Sequence, residues 1–204
     1  MRKNIERDLK RYKRKLRKRL RQRQPKRYKF KKTKTKVCHI ISPIYQMKAL
    51  ARETFINMPE EVCQLWLDDR ISNCGWPPEG LEWQGFLFRK SIEHWQQLAW
   101  EEKNVSLEVH QIAPISLELV SNLIEAHEHG KPNILTLYMP DSKSRYDSIN
   151  DYLKTNKAVP GKIILMETEL GYEIIDGVHR VTAALMFQLN NSLKLSGFNA
   201  WIGK

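Results

Sequence analysis

KIILMETELGYEIIDGVHRVTAALMF, residues Lys162 to Phe187, reads as strand, tight turn, strand and then helix. Ile163, Ile164 and Leu165 are apolar and partly β-branched, as a strand prefers. Thr168-Glu169-Leu170-Gly171 supplies the turn, and Tyr172 to Ile175 alternates like a half-buried strand. After Gly177 the period changes. Val181, Ala184, Leu185 and Gln188 follow helical spacing, in a run of good helix formers. Asp176 is placed to cap that helix, and Gly177 permits a turn that a Cβ would obstruct. His179 and Arg180 then fall in the first helical turn. Free N–H groups, the positive end of the helix dipole, an imidazole and a guanidinium suit a phosphate or another anion. The plainer reading is a strand–helix junction with a surface His-Arg pair.

Charge divides the chain. Residues 1–36 hold 20 Lys and Arg against 2 Asp and Glu, whereas the remaining residues hold 15 against 21. The basic segment is expected to bind a polyanion, by contacts that weaken steeply with salt. A DNA strand would lie along Lys13, Arg14, Arg17, Arg21, Lys26, Arg27, Lys29, Lys31 and Lys32. Residues 2–24 read as a basic helix ended by Pro25, with an extended run to Lys36 that carries Tyr28 and Phe30. A solubilising or targeting arm is the alternative. No stretch has a signal-peptide core or could span a bilayer, so a cytoplasmic location is expected. Cys38, Cys63 and Cys74 are widely spaced and read as reduced structural thiols.

Residues 37–104 form a second region that contains Trp66, Trp76, Trp83, Trp95 and Trp100, five of the six tryptophans. Helices are expected over Pro43–Phe55, from Pro59 with Val62, Leu65 and Trp66 on its apolar face, and after Ser91 as cap. Such aromatic density reads as core, with a protein-contact surface as the functional alternative. Residues 105–204 form the third region. A strand is expected over Val105–Val109 and a helix from Ser116 to His127 with Ser116 as cap. Further elements are a strand over Ile134–Tyr138, a short helix capped by Ser148 and Asp151, and a last strand within Leu193–Ile202. His127 and His129 have no cysteine partners nearby and read as non-metal residues.

Residues 105–188, through Ser148-Ile149, Val159-Pro160, the hairpin and Asp176-Gly177-Val178-His179-Arg180 with Ala183-Ala184, resemble the ParB/sulfiredoxin-like superfamily. The resemblance implies an α+β fold with a small mixed sheet and flanking helices, preceded here by a helical Trp-rich region and the basic arm. It also implies a nucleotide site. Gly177, Val178, His179, Arg180 and Thr182 would bind ATP or CTP, Asp176 would hold Mg2+, and Asp176, His179 and Arg180 would be the catalytic set. Val178 stands where sulfiredoxins have their cysteine, so sulfinate reduction is not expected. Val178 and His179 replace the Glu and first Arg of chromosome-partitioning members, and no helix-turn-helix follows. In size and layout the chain is similar to the fertility-inhibition members of conjugative plasmids, which implies ATPase and DNase activity against a conjugation or secretion complex. A non-enzymatic nucleic-acid-binding adaptor and a small-molecule kinase are the alternatives. Glu118, Glu167, Glu169 and Glu173 are the candidates for a general base.

Overall fold

A computed structural model describes residues 42–131, 133, 139–191 and 195–204. The basic arm with its DNA-binding candidates, the expected Ile134–Tyr138 strand and residues 193–194 of the expected last strand lie outside the described residues. Residues 41–204 form one compact unit.

The architecture is α+β. Its centre is a four-stranded mixed sheet of β1 (Trp100–Val105), β2 (Lys162–Thr168), β3 (Gly171–Asp176) and β4 (Phe198–Gly203), in the order β1-β4-β2-β3. β1 and β4 are antiparallel, β4 and β2 parallel, β2 and β3 antiparallel. Ile163 to Met166 on β2 are all buried. This explains the unbroken apolar run: a central strand covered on both faces has no polar side. Ile163 and Leu165 enter one core with Ile174, Ala200 and Ile202, while Ile164 and Met166 enter another with Ile175.

Three helices cover the first face: α6 (Pro114–His127), α7 (Ser142–Asn156) and α8 (Val178–Asn191), with α8 packed on both others. The Trp-rich region covers the second face. It consists of α1 (Pro43–Thr54), α2 (Glu60–Val62), a π-helical turn (Cys63–Leu67), α3 (Asp68–Cys74), α4 (Leu81–Phe86) and α5 (Ile92–Gln97). Trp66, Trp83 and Trp95 are buried there beside Ile164 and Met166, so these tryptophans are core. Trp66 stacks on Phe86 and meets Trp95 at 4.6 Å between ring centroids. The expected division at residue 104 falls inside β1.

Several local expectations shift. The strand expected over Val105–Val109 lies earlier, at Trp100–Val105, and Val109–Gln111 is a 3-10 turn. Glu101 and Glu102 are both exposed on an edge strand, where charge is tolerated, so the residues show no alternation to mark it. The helix from Pro59 buries Cys63, Trp66 and Leu67, while Leu65 is 37% exposed. The π turn adds residues to one turn and moves the apolar face off the 3.6 period. Ser116 is not a cap. The helix begins at Pro114, and the buried Ser116 Oγ accepts from Ile174 N–H at 2.8 Å. Ser148 and Asp151 are not a capping box, because α7 already begins at Ser142. Ser91 does cap α5, its hydroxyl accepting from His94 N–H. Cys63 is buried, which pushes its thiol up to about 11, and Cys74 is an exposed free thiol.

Two layers on one sheet should unfold together, with coincident transitions in far-UV dichroism and tryptophan fluorescence. Trp95→Ala, at a fully buried position, should cost about 3–5 kcal/mol in denaturant melts without separating the two transitions. Two separate transitions in the parent chain would contradict this architecture.

Candidate functional site

The hairpin delivers β3 to the start of α8 with a local irregularity. Ile164 pairs with Asp176 and Leu165 with Ile174, which leaves Ile175 as an extra residue. Such a bulge re-aims the end of a strand. Gly177 follows at φ +93°, where a Cβ would sit 2.6 Å from Ile163 Cγ2. Only glycine fits between β2 and the helix start. The first intrahelical bond is Val181 N–H to Gly177 O at 3.0 Å. The N–H groups of Val178, His179 and Arg180 therefore have no partner within the helix.

His179 and Arg180 do not converge. Arg180 Nη1 turns back to donate to Lys162 O at 2.6 Å and lies 3.3 Å from Asp176 Oδ2. His179 is 9% exposed and turns towards α7. Its Nε2 lies 2.7 Å from Ser142 Oγ, and His127 Nε2 lies 2.9 Å from the same oxygen. A hydroxyl carries one proton and two lone pairs, so at most one imidazole accepts from Ser142 and at least one donates to it. Burial first, then competition with the His127 imidazole and the charges of Arg145 and Arg180, pushes the His179 pKa down to about 4, against the opposing effect of Asp141. His127 is lowered as well, by burial first. The His179 imidazole is thus neutral near pH 7 and offers a hydrogen bond rather than a charge.

The other candidates take distinct places. Val178 is half-buried and packs on the first core. Thr182 is fully buried, and its hydroxyl donates to Val178 O within α8. Its hydroxyl is therefore spent inside the helix. Asp176 keeps a 36% exposed side chain beside Arg180. Glu169 sits at the hairpin tip, at the far end of β3 from Asp176, and Glu167 on β2 lies beside Lys204. Glu118 is exposed near the start of α6, whereas His127 ends that helix. Glu173 lies near His94, whose pKa burial lowers and this carboxylate partly restores. None of the four carboxylates joins the cluster.

Sequence reading missed the partners that α6 and α7 contribute. Ser142 is the first residue of α7, so its contact with His179 brings the starts of two helices together. Arg145 Nε donates to Asp141 Oδ2 at 2.7 Å on the exposed side of that junction. Tyr146 is 1% exposed and donates to Glu128 Oε1 at 2.6 Å. Its ring also lies 5.0 Å from that of His127. A cavity of about 530 Å3 opens beside Tyr146, lined by Glu128, Asp147 and Asn150 and closed by Met186 and Phe187 of α8. The signal that would have found this cluster was a second helix start at Asp141-Ser142, which the polar residues 140–144 concealed as a loop.

No group of three or more His, Cys, Asp or Glu among the described residues could hold a metal ion. No helix among them is long and apolar enough to cross a membrane. No family model, curated protein or solved structure matches the chain.

Because His179 binds its proton less readily when folded, the unfolded chain holds more protons between about pH 6.5 and 4. Its contribution is complete above the unfolded value and is lost as pH falls towards 4. Denaturant midpoints measured from pH 7.5 to 4.5 should report a loss of about 2–3 kcal/mol from this group. His179→Gln should flatten that part of the slope, and an unchanged slope would refute the assignment. Ser142→Ala removes the shared partner of both imidazoles and should destabilise by about 1–3 kcal/mol at neutral pH.

Proposed function

We propose that the chain binds a nucleoside triphosphate, ATP or CTP, where α7 and α8 begin, and acts on DNA held by its basic arm as an NTPase or nuclease. The observation that carries this reading is the junction made by Ser142 and His179. It sets two helix starts side by side, with Arg145 and Arg180 both acting on the same buried imidazole. Helix starts favour anions through their free N–H groups and dipoles. The resemblance of the D-G-x-H-R stretch to ParB/sulfiredoxin-like proteins agrees with that position. In this reading the N–H groups of residues 178–180 and the Arg145 guanidinium meet phosphate oxygens. The cavity beside Tyr146 takes the nucleoside.

Mg2+ commonly binds through one or two carboxylates together with substrate phosphates. Asp176 supplies one partly exposed carboxylate, so the ion would arrive with the triphosphate and displace the contact with Arg180. Bound there, the ion would screen phosphate charge. The net positive charge of residues 1–36 supports DNA as the partner. Similarity in size and layout to the plasmid fertility-inhibition protein Osa suggests a cytoplasmic factor that blocks DNA transfer by a conjugation or secretion complex. The Arg180 bond to Lys162 O favours a second reading, in which this arginine is structural and the chain is a non-enzymatic nucleic-acid-binding adaptor.

Incubation with ATP or CTP, Mg2+ and plasmid DNA should yield phosphate release and, for a nuclease, nicking. Arg145→Ala, at a surface position, should weaken triphosphate binding about ten-fold, the loss expected for one charge-assisted contact. Arg180→Ala should abolish turnover. Deleting residues 1–36 should remove DNA binding and leave phosphate release intact. Unchanged hydrolysis in both arginine variants, with melting curves that show them folded, would overturn the nucleotide site. Absence of any hydrolysis by the parent chain would leave the adaptor.

A further inference from the structure

We propose that the groove between α6 and α8 is a docking site for a basic amphipathic helix of a partner protein. The groove encloses about 1020 Å3 and is lined by Leu107, Ile112, Leu117, Ile124, Leu185 and Leu189, among others. Its edges expose large apolar side chains: Val109 is 52% exposed, Leu170 72% and Leu189 74%. Scattered exposed apolar residues are ordinary, but several around one trough mark an interaction surface.

Shape selects the secondary structure of the occupant. Two helices form the walls, and a third packs its ridges into such a trough. An added strand finds no backbone to pair with at this end of the sheet, because Ala113 N–H already donates to Tyr172 O and Ile112 bridges Tyr172. α6 spans 14 residues, which sets a length of about 21 Å and hence an occupant of three to four turns. Such a helix would present apolar anchors at i, i+3, i+4 and i+7.

Charge selects its chemistry. The lining includes Glu108 and neither Lys nor Arg. Glu118 and Glu125 flank the lining residue Ser121 on α6, and Glu169 precedes Leu170 at the hairpin tip. Glu108 faces His110, and Glu125 faces Lys131 across an exposed 3.8 Å pair. From Val181 to Asn191, α8 carries no charged residue. A helix with Lys or Arg beside its apolar stripe therefore gains on the α6 and hairpin sides and meets no like charge on the α8 side. An acidic helix would be repelled on both charged sides. This surface lies apart from the Ser142–His179 junction and does not depend on nucleotide binding.

The test uses the full chain with 13C-methyl methionine and two synthetic 14-residue helical peptides, one of Leu and Lys, one of Leu and Glu. Met186 lines the groove and also borders the cavity beside Tyr146, so variants of Leu170 and Leu189, residues of the groove alone, assign its shift; Met58 and Met166 are buried in the other core. The Leu/Lys peptide should shift the Met186 methyl and leave Met58 and Met166 in place. Leu170→Asp with Leu189→Asp, both at exposed positions, should weaken that response at least ten-fold while the melting curve is retained. Glu118→Lys with Glu169→Lys should weaken the Leu/Lys peptide and allow the Leu/Glu peptide to shift Met186. No shift with the Leu/Lys peptide, or an equal Met186 shift with the Leu/Glu peptide on the parent chain, would overturn the proposal.

Discussion

The structure depends on β2 being buried on both of its faces. Ile163 and Leu165 lean into the core under α6, α7 and α8, and Ile164 and Met166 lean into the tryptophan core. Burying such side chains is worth about 1.5–3 kcal/mol each, and this strand commits four consecutive ones. Neither helical layer could bury its apolar stripe without it. The Trp-rich region is therefore not an appendage to an α+β domain but the cover of the sheet's second side.

The candidate site follows from the same strand. Ile163 closes the space above Gly177, so the chain leaves β3 through a backbone shape that only glycine takes without strain. The Ile175 bulge turns Asp176 and the helix start at that point. α7 then meets α8 at its own first residue, and one serine hydroxyl is shared by two neutral-leaning imidazoles. Hydrogen bonding and burial place His179 within the protein fabric, and the guanidinium groups remain as the charged members of the junction.

Elements that bury a regular stripe were legible in the residues. The β2–β3 hairpin and α8 announced themselves through a change from strand alternation to helical spacing at Gly177, and Ser91 capped α5 as its chemistry suggests. Elements decided by tertiary contacts were not. β1 is an edge strand whose charged residues hide its period, while Val105–Val109 alternates without forming a ladder beyond Val105. Ser148 and Asp151 look like a helix start, yet α7 begins six residues earlier without any side-chain cap. At the site, Gly177 and the first turn of α8 were readable from local chemistry. The turn of Arg180 towards Lys162 and of His179 towards Ser142 was not, because both partners are distant in sequence.

Lys162 belongs to both layers at once. Its ammonium lies between Glu61 and Glu102 and over the Trp201 ring, on the tryptophan side, and Glu61 also accepts from Trp201 Nε1. Its carbonyl oxygen receives Arg180 at the start of α8, on the other side. One residue thus acts as a rivet through the sheet. A displacement of α2 that drags Glu61 would tug the same residue that anchors Arg180, giving the two sides of the molecule a direct mechanical line to each other.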